Sequence, residues 1–126
     1  MSNDKEKNLL KKKCVPCEGG VAPLAHDDIQ EYLDEVSGWR LAESTDANLL
    51  KTGFGAKICK EYKFKDFIGA VNFVNHIADI AEAEGHHPDI HVFYNKVVLE
   101  LSTHAIGGLS ENDFILAAKI DAANPK

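Results

Sequence analysis

Cysteine is scarce in this chain, long apolar runs are missing, and basic charge falls short of acidic. Each shortage closes a class of function. Three cysteines are an odd number, so they do not form the paired framework of a small secreted protein, and a reducing cytosol is the expected setting. No stretch approaches the roughly 18 consecutive apolar residues of a membrane span. The first residues lack an apolar core of signal-peptide length, because Leu9-Leu10 runs straight into Lys11-Lys12-Lys13. With 14 Lys and Arg against 20 Asp and Glu, the net charge of −6 argues against a phosphate-binding surface and hence against nucleic acid as a partner.

Several catalytic signatures are also absent. There is no Gly-x-Ser-x-Gly elbow, no His-Glu-x-x-His helix and no zinc-deaminase pattern. Gly53-Phe54-Gly55 lacks the third glycine and the strand–turn–helix setting of a dinucleotide site. Cys14-x-x-Cys17 is half of a structural zinc site, but Cys59 stands alone and no matching pair follows, so no metal is expected.

What is present fits one domain. Residues 1–20 read as a flexible polar leader carrying the Cys14-x-x-Cys17 pair, and residues 21–126 as a single domain. A first helix is predicted over 27–36, where Ile29, Leu33 and Val36 fall on one stripe. Strands are predicted around Trp39–Glu43 and Ile58–Phe64, joined through a turn at 44–48, with a bend at Gly53 and Gly55. The longest helix, 66–84, has Phe67, Val71, Val74, Ala78 and Ala81 in one row, widened by Ile68, Phe73, Ile77 and Ile80. Gly85 suits the position just past its end. A hairpin follows, and then a helix opened by Ser110, with Asp113 at its third position and Leu109 and Phe114 as a staple. This order predicts an α+β fold: a four-stranded antiparallel sheet with about three helices packed on one face.

The histidines carry the chemical interest. With Asn95-Lys96 as a two-residue turn, Tyr94 would face Val97, Ile90 would face Leu101, and His87 would face His104, with His86 alongside. Imidazole exchanges protons near neutral pH, so His86, His87 and His104 form a candidate acid/base cluster. Taken alone, Asp113 would merely complement a helix N-terminus and Glu82 would be a solvated helix residue. Yet Glu82 lies one turn before His86, and Asp113 opens the helix after His104, so both are placed to face the cluster.

The run Glu82-Ala83-Glu84-Gly85-His86-His87-Pro88-Asp89, followed by Tyr94-Asn95-Lys96-Val97, Leu101-Ser102-Thr103-His104 and Gly108-Leu109-Ser110-Glu111-Asn112-Asp113, resembles pterin-4a-carbinolamine dehydratase. Some members of that family are also called dimerization cofactors of a homeodomain transcription factor. The likeness covers about residues 21–122. It implies dehydration of 4a-hydroxytetrahydropterin to quinonoid dihydropterin in tetrahydropterin recycling, with no metal or organic cofactor, in a homodimer or homotetramer. Carried over by position, His86, His87 and His104 are catalytic, while Glu82, Asp113, Trp39, Thr103 and Ser102 line or support the substrate site. The resemblance suggests that His86 and His104 transfer protons and His87 orients the pterin or a water, leaving open which donates. It also allows a protein-binding dimerization cofactor, or an accessory of another pterin pathway such as that of molybdopterin enzymes. Two positions depart from the pattern. Ile90 stands where many relatives carry an aromatic residue, which bears on assembly. Asn112 stands where some carry arginine, which bears on pterin side-chain preference.

Overall fold

The structure is a computed structural model and describes residues 9–15, 22–42 and 55–124. Alternation of apolar and polar residues in the strands gives one buried sheet face. Ile58, Tyr62, Val97, Leu99 and Leu101 point into the core while their neighbours do not. The strands are β1 (Arg40–Ala42), β2 (Lys57–Lys63), β3 (Asp89–Phe93) and β4 (Lys96–Leu101). They form one antiparallel sheet in the order β1-β2-β4-β3. Three helices accompany it among the described residues: α1 (His26–Leu33), α2 (Phe67–Glu84) and α3 (Glu111–Ala123). The α+β architecture is as the sequence predicts.

Helix α2 starts where the Asp66 side chain accepts a hydrogen bond from the Gly69 amide at 2.8 Å. The face it buries is Ala70, Phe73, Ile77 and Ala81, not the row beginning at Phe67. Phe67 and Ile68 are exposed. The helix is apolar around most of its circumference, so periodicity does not orient it. Small Ala70 and Ala81 let it approach the sheet, and Phe73 fills the gap with its ring 4.7 Å from Tyr62 and 5.0 Å from Phe64.

The β3–β4 turn is Tyr94-Asn95, with Tyr94 at φ 52°, and the register is displaced by two residues from the expected one. Ile90 pairs with Leu99 and Val92 with Val97. A two-residue slip leaves every side chain on its own face, so the apolar pattern cannot distinguish the two registers. The turn decides. Asn95 Nδ2 donates to the Phe64 carbonyl, and the Phe64 amide donates to the Asn95 carbonyl at 2.8 Å, which ties Asn95 to the end of β2.

Helix α1 ends at Leu33, short of the predicted Val36. The chain leaves it through bonds from the Glu35 and Val36 amides to the Tyr32 and Leu33 carbonyls. The predicted turn at 44–48 and the bend at Gly53 lie outside the described residues. Within the polar leader, residues 9–15 pack against the helices: Leu9–Lys11 form a short 3-10 turn, and Leu9 and Cys14 are buried. No helix among the described residues is long and apolar enough to cross a membrane.

Candidate active site

Two helix ends and one loop build the site. At the C-terminus of α2, Gly85 adopts φ 69°, a left-handed conformation that costs glycine least. The amides of Gly85 and His86 both bond to the Ala81 carbonyl, which ends the helix and brings out His86. At the N-terminus of α3, the Ser110 amide donates to Asp113 Oδ2 at 3.0 Å, the capping arrangement the sequence predicts.

Asp113 does more than cap. It is fully buried, and Oδ1 lies 2.6 Å from His86 Nε2. Oδ2 also accepts the Thr103 hydroxyl at 2.8 Å, and Thr103 Oγ1 lies 2.8 Å from Ser110 Oγ. A carboxylate only accepts, so the ring nitrogen that meets it carries the hydrogen. His86 Nε2–H therefore donates, and in the neutral ring the lone pair is left on Nδ1. The imidazole is mostly covered, with 12% of its side chain exposed. Its tautomer and orientation are thus fixed by a buried carboxylate that is itself held by two other donors.

His104 follows Thr103, whose hydroxyl is bonded to Asp113. It is exposed and opens a 3-10 turn, His104–Ile106, closed by the Gly107 amide on the His104 carbonyl and by pairing of Thr103 with Gly108. Gly107 at φ 72° permits this tight return. The loop bearing His104 is tied by the Thr103 hydroxyl to the carboxylate that holds His86. This replaces the expected cross-strand pairing of His87 with His104, since the ladder stops at Asp89 and Leu101. His87 lies outward, its Nε2 2.6 Å from Glu82 Oε2, and both side chains are more than half exposed. Ser102 is half-buried, next to Thr103.

Trp39 sits elsewhere. Its indole donates to Asp121 Oδ2 at 3.0 Å, where Lys60 Nζ and the Tyr62 hydroxyl also meet Asp121 Oδ1. Asp121 is eight residues along α3 from Asp113, about 12 Å at the helical rise. Burial and the bond to Asp121 push the Tyr62 phenol well above its ordinary range. A cleft of about 650 Å³ borders this end of α3, lined by residues that include Leu9, Val36 and Asp121 and none of the histidines.

The sequence marks Asn112 only as a departure from the family pattern near the substrate, and it gives no sign of the structural roles that Asn112 and Glu84 take. Asn112 is buried, and both ends of its amide meet the Val15 backbone. Burial works to raise the Glu84 carboxyl, but bonds from Lys119 Nζ and the Cys14 amide outweigh it and hold the group below its ordinary range. Glu100 is lowered in the same way, burial being outweighed by Lys57 and then His91. For both groups the unfolded pKa exceeds the folded one. Their stabilisation is therefore present above about pH 4.5 and is lost as pH falls through the lower folded value. Urea titrations from neutral pH to about pH 3 should show this loss, and it should be smaller in Glu84→Gln. Equal acid sensitivity of the two proteins would refute that contribution. Among the described residues, no group of three His, Cys, Asp or Glu is arranged to hold a metal ion.

A small α+β domain with a carboxylate-held histidine and a second histidine on an adjoining loop is compatible with more than one class of protein. Comparison with known proteins narrows the class. The sequence profile of pterin 4 alpha carbinolamine dehydratase matches residues 22–123, and the chain belongs to that family. A protein of Halorhodospira halophila, provisionally named pterin-4-alpha-carbinolamine dehydratase, is 46% identical over 115 residues, covering 91% of this chain and 96% of its own. Pterin-4-alpha-carbinolamine dehydratase 2, mitochondrial, of Arabidopsis thaliana is 45% identical over 90% of this chain and 58% of its own length. The crystal structure of a transcriptional coactivator/pterin dehydratase from Brucella melitensis superposes with a TM-score of 0.68 at 31% identity, covering 82% of this chain and 99% of that one.

Proposed function

We propose that this chain dehydrates 4a-hydroxytetrahydropterin to quinonoid dihydropterin by histidine acid/base catalysis, as a step in tetrahydropterin recycling. The observation that carries the reading is the fully buried Asp113, which joins His86 to Thr103 and so to the His104 loop. The reaction breaks the C4a–O bond. The departing oxygen gains a proton and leaves as water, while the adjacent ring nitrogen loses its proton and forms the C=N bond. One imidazole gives and one imidazole takes, so no net proton is consumed. His86, with Nε2–H committed to Asp113, offers Nδ1 to the substrate, and His104 supplies the partner group from its exposed turn. His87, held by Glu82, orients the pterin or a water, and Ser102 and Thr103 serve the substrate from the segment just before His104.

His86→Ala and His104→Ala should each lower the dehydration rate about 100-fold while the proteins stay folded by circular dichroism. Unchanged rates in both would sink the assignment. The same chain is proposed to form a homodimer or homotetramer, because Ile68, Phe93 and Tyr94 expose large apolar surface. Sedimentation velocity should find an assembly at micromolar protein, and a purely monomeric boundary would count against it.

A further inference from the structure

Residues 12–15 cross between the C-terminus of α2 and the N-terminus of α3, and each is bonded to one end or both. Lys12 Nζ meets Glu111 Oε2 at 2.6 Å, and Lys13 Nζ donates to the Ala83 carbonyl at 2.7 Å. The Cys14 amide donates to Glu84 Oε1 at 2.8 Å, and its thiol donates to the Asn112 carbonyl. The Val15 amide donates to Asn112 Oδ1 at 3.0 Å, and the Val15 carbonyl accepts from Asn112 Nδ2 at 2.6 Å. Glu84 adds a direct link, because its other oxygen binds Lys119 of α3 at 2.7 Å.

The bridged ends hold the two partners of the site's central bond. Ala83 and Glu84 lie just before His86; Glu111 and Asn112 lie just before Asp113. Asn112 is 4% exposed, and an amide buried that deeply destabilises the fold unless it is paired, so its bonds to Val15 are structural commitments. Burial, reinforced by Glu84, pushes the Cys14 thiol up to about 12, which makes it an uncharged anchor. We propose that residues 12–15 are a strap that sets the His86–Asp113 bond, with Asn112 and Glu84 as positioning residues for the reaction. The inference rests on the function proposed above, since it matters only if that bond serves the chemistry. A hydrogen bond between groups on two separate segments is sensitive to small relative shifts, and misplacement by about 1 Å can cost orders of magnitude in rate.

Two substitutions test the strap without touching the histidines or Asp113. Val15→Pro removes the N–H that Asn112 Oδ1 accepts, and Asn112→Ala removes both bonds. Each should lower kcat about tenfold with little change in KM, and the double variant should be no slower than the worse single, since both break one contact. The ring N–H of His86, sheltered by Asp113, should give a low-field proton NMR signal that broadens through solvent exchange in both variants while the amide spectrum stays dispersed. Unchanged kcat, effects that multiply in the double variant, or loss of rate with the ring signal unmoved would each overturn the proposal. Where Asn112→Ala fails to fold, Val15→Pro decides. If the wild-type protein shows no dehydration, the proposed function fails by itself. The ring signal then still rules on the strap: broadening in Val15→Pro upholds its hold on the bond, and persistence removes it.

Discussion

Replacing Asp113 with alanine will cost the fold about 3 kcal/mol and the dehydration rate at least about 100-fold. The carboxylate is fully buried and accepts from His86, Thr103 and the Ser110 amide. Truncation takes the acceptor from three donors, of which Thr103 keeps Ser110 Oγ as a partner, and removes a helix cap, so several losses fall on one position. Asparagine separates the two effects. Its carbonyl would still accept from Thr103 and the Ser110 amide, but its NH2 would then face His86 Nε2. That nitrogen would have to accept, the ring hydrogen would move to Nδ1, and the lone pair offered to substrate would vanish. Asp113→Asn should therefore lose only about 1 kcal/mol in urea titration yet fall about 100-fold in rate. An asparagine variant of full activity would refute the tautomer assignment.

Phe73→Ala should destabilise the domain by about 4 kcal/mol. The ring is 2% exposed and packs on both Tyr62 and Phe64, so truncation opens a cavity between α2 and the sheet. Phe67, on the same helix but 49% exposed, supplies the contrast, and its alanine variant should lose less than about 1 kcal/mol. Denaturant midpoints of the two variants check the difference. Similar losses would mean that α2 presents another face to the core.

The elements themselves were legible because their signals are local. Alternation marked β2 and β4, Gly85 ended α2, and Ser110 with Asp113 announced α3. Two errors show where local signals stop. A slip of two residues in the β3–β4 ladder changes no side chain's face, so only the tie between Asn95 and Phe64 selects the register. Helix α2 is apolar on too many sides for its sequence to say which side meets the sheet, and packing around Phe73 chooses.

The site was legible in part. Glycine after α2 and serine before α3 placed His86 and Asp113 at helix ends, but their contact joins residues far apart in sequence and follows from tertiary packing. The route linking His104 to them runs through the Thr103 hydroxyl, not through strand pairing, and nothing periodic marks such a bond. The packing of residues 9–15 was hidden for a related reason. A lysine-rich segment has no apolar stripe, and what holds it is the burial of Leu9 and Cys14 together with hydrogen bonds to side chains and to helix-end groups such as the Ala83 carbonyl.

One assay bears on whether these imidazoles dehydrate a pterin. Freshly generated 4a-carbinolamine is followed by absorbance as quinonoid dihydropterin forms, with and without the protein. Acceleration that saturates with substrate, scales with protein concentration and disappears in His104→Ala is the expected result. A rate that the wild-type protein leaves unchanged would contradict it.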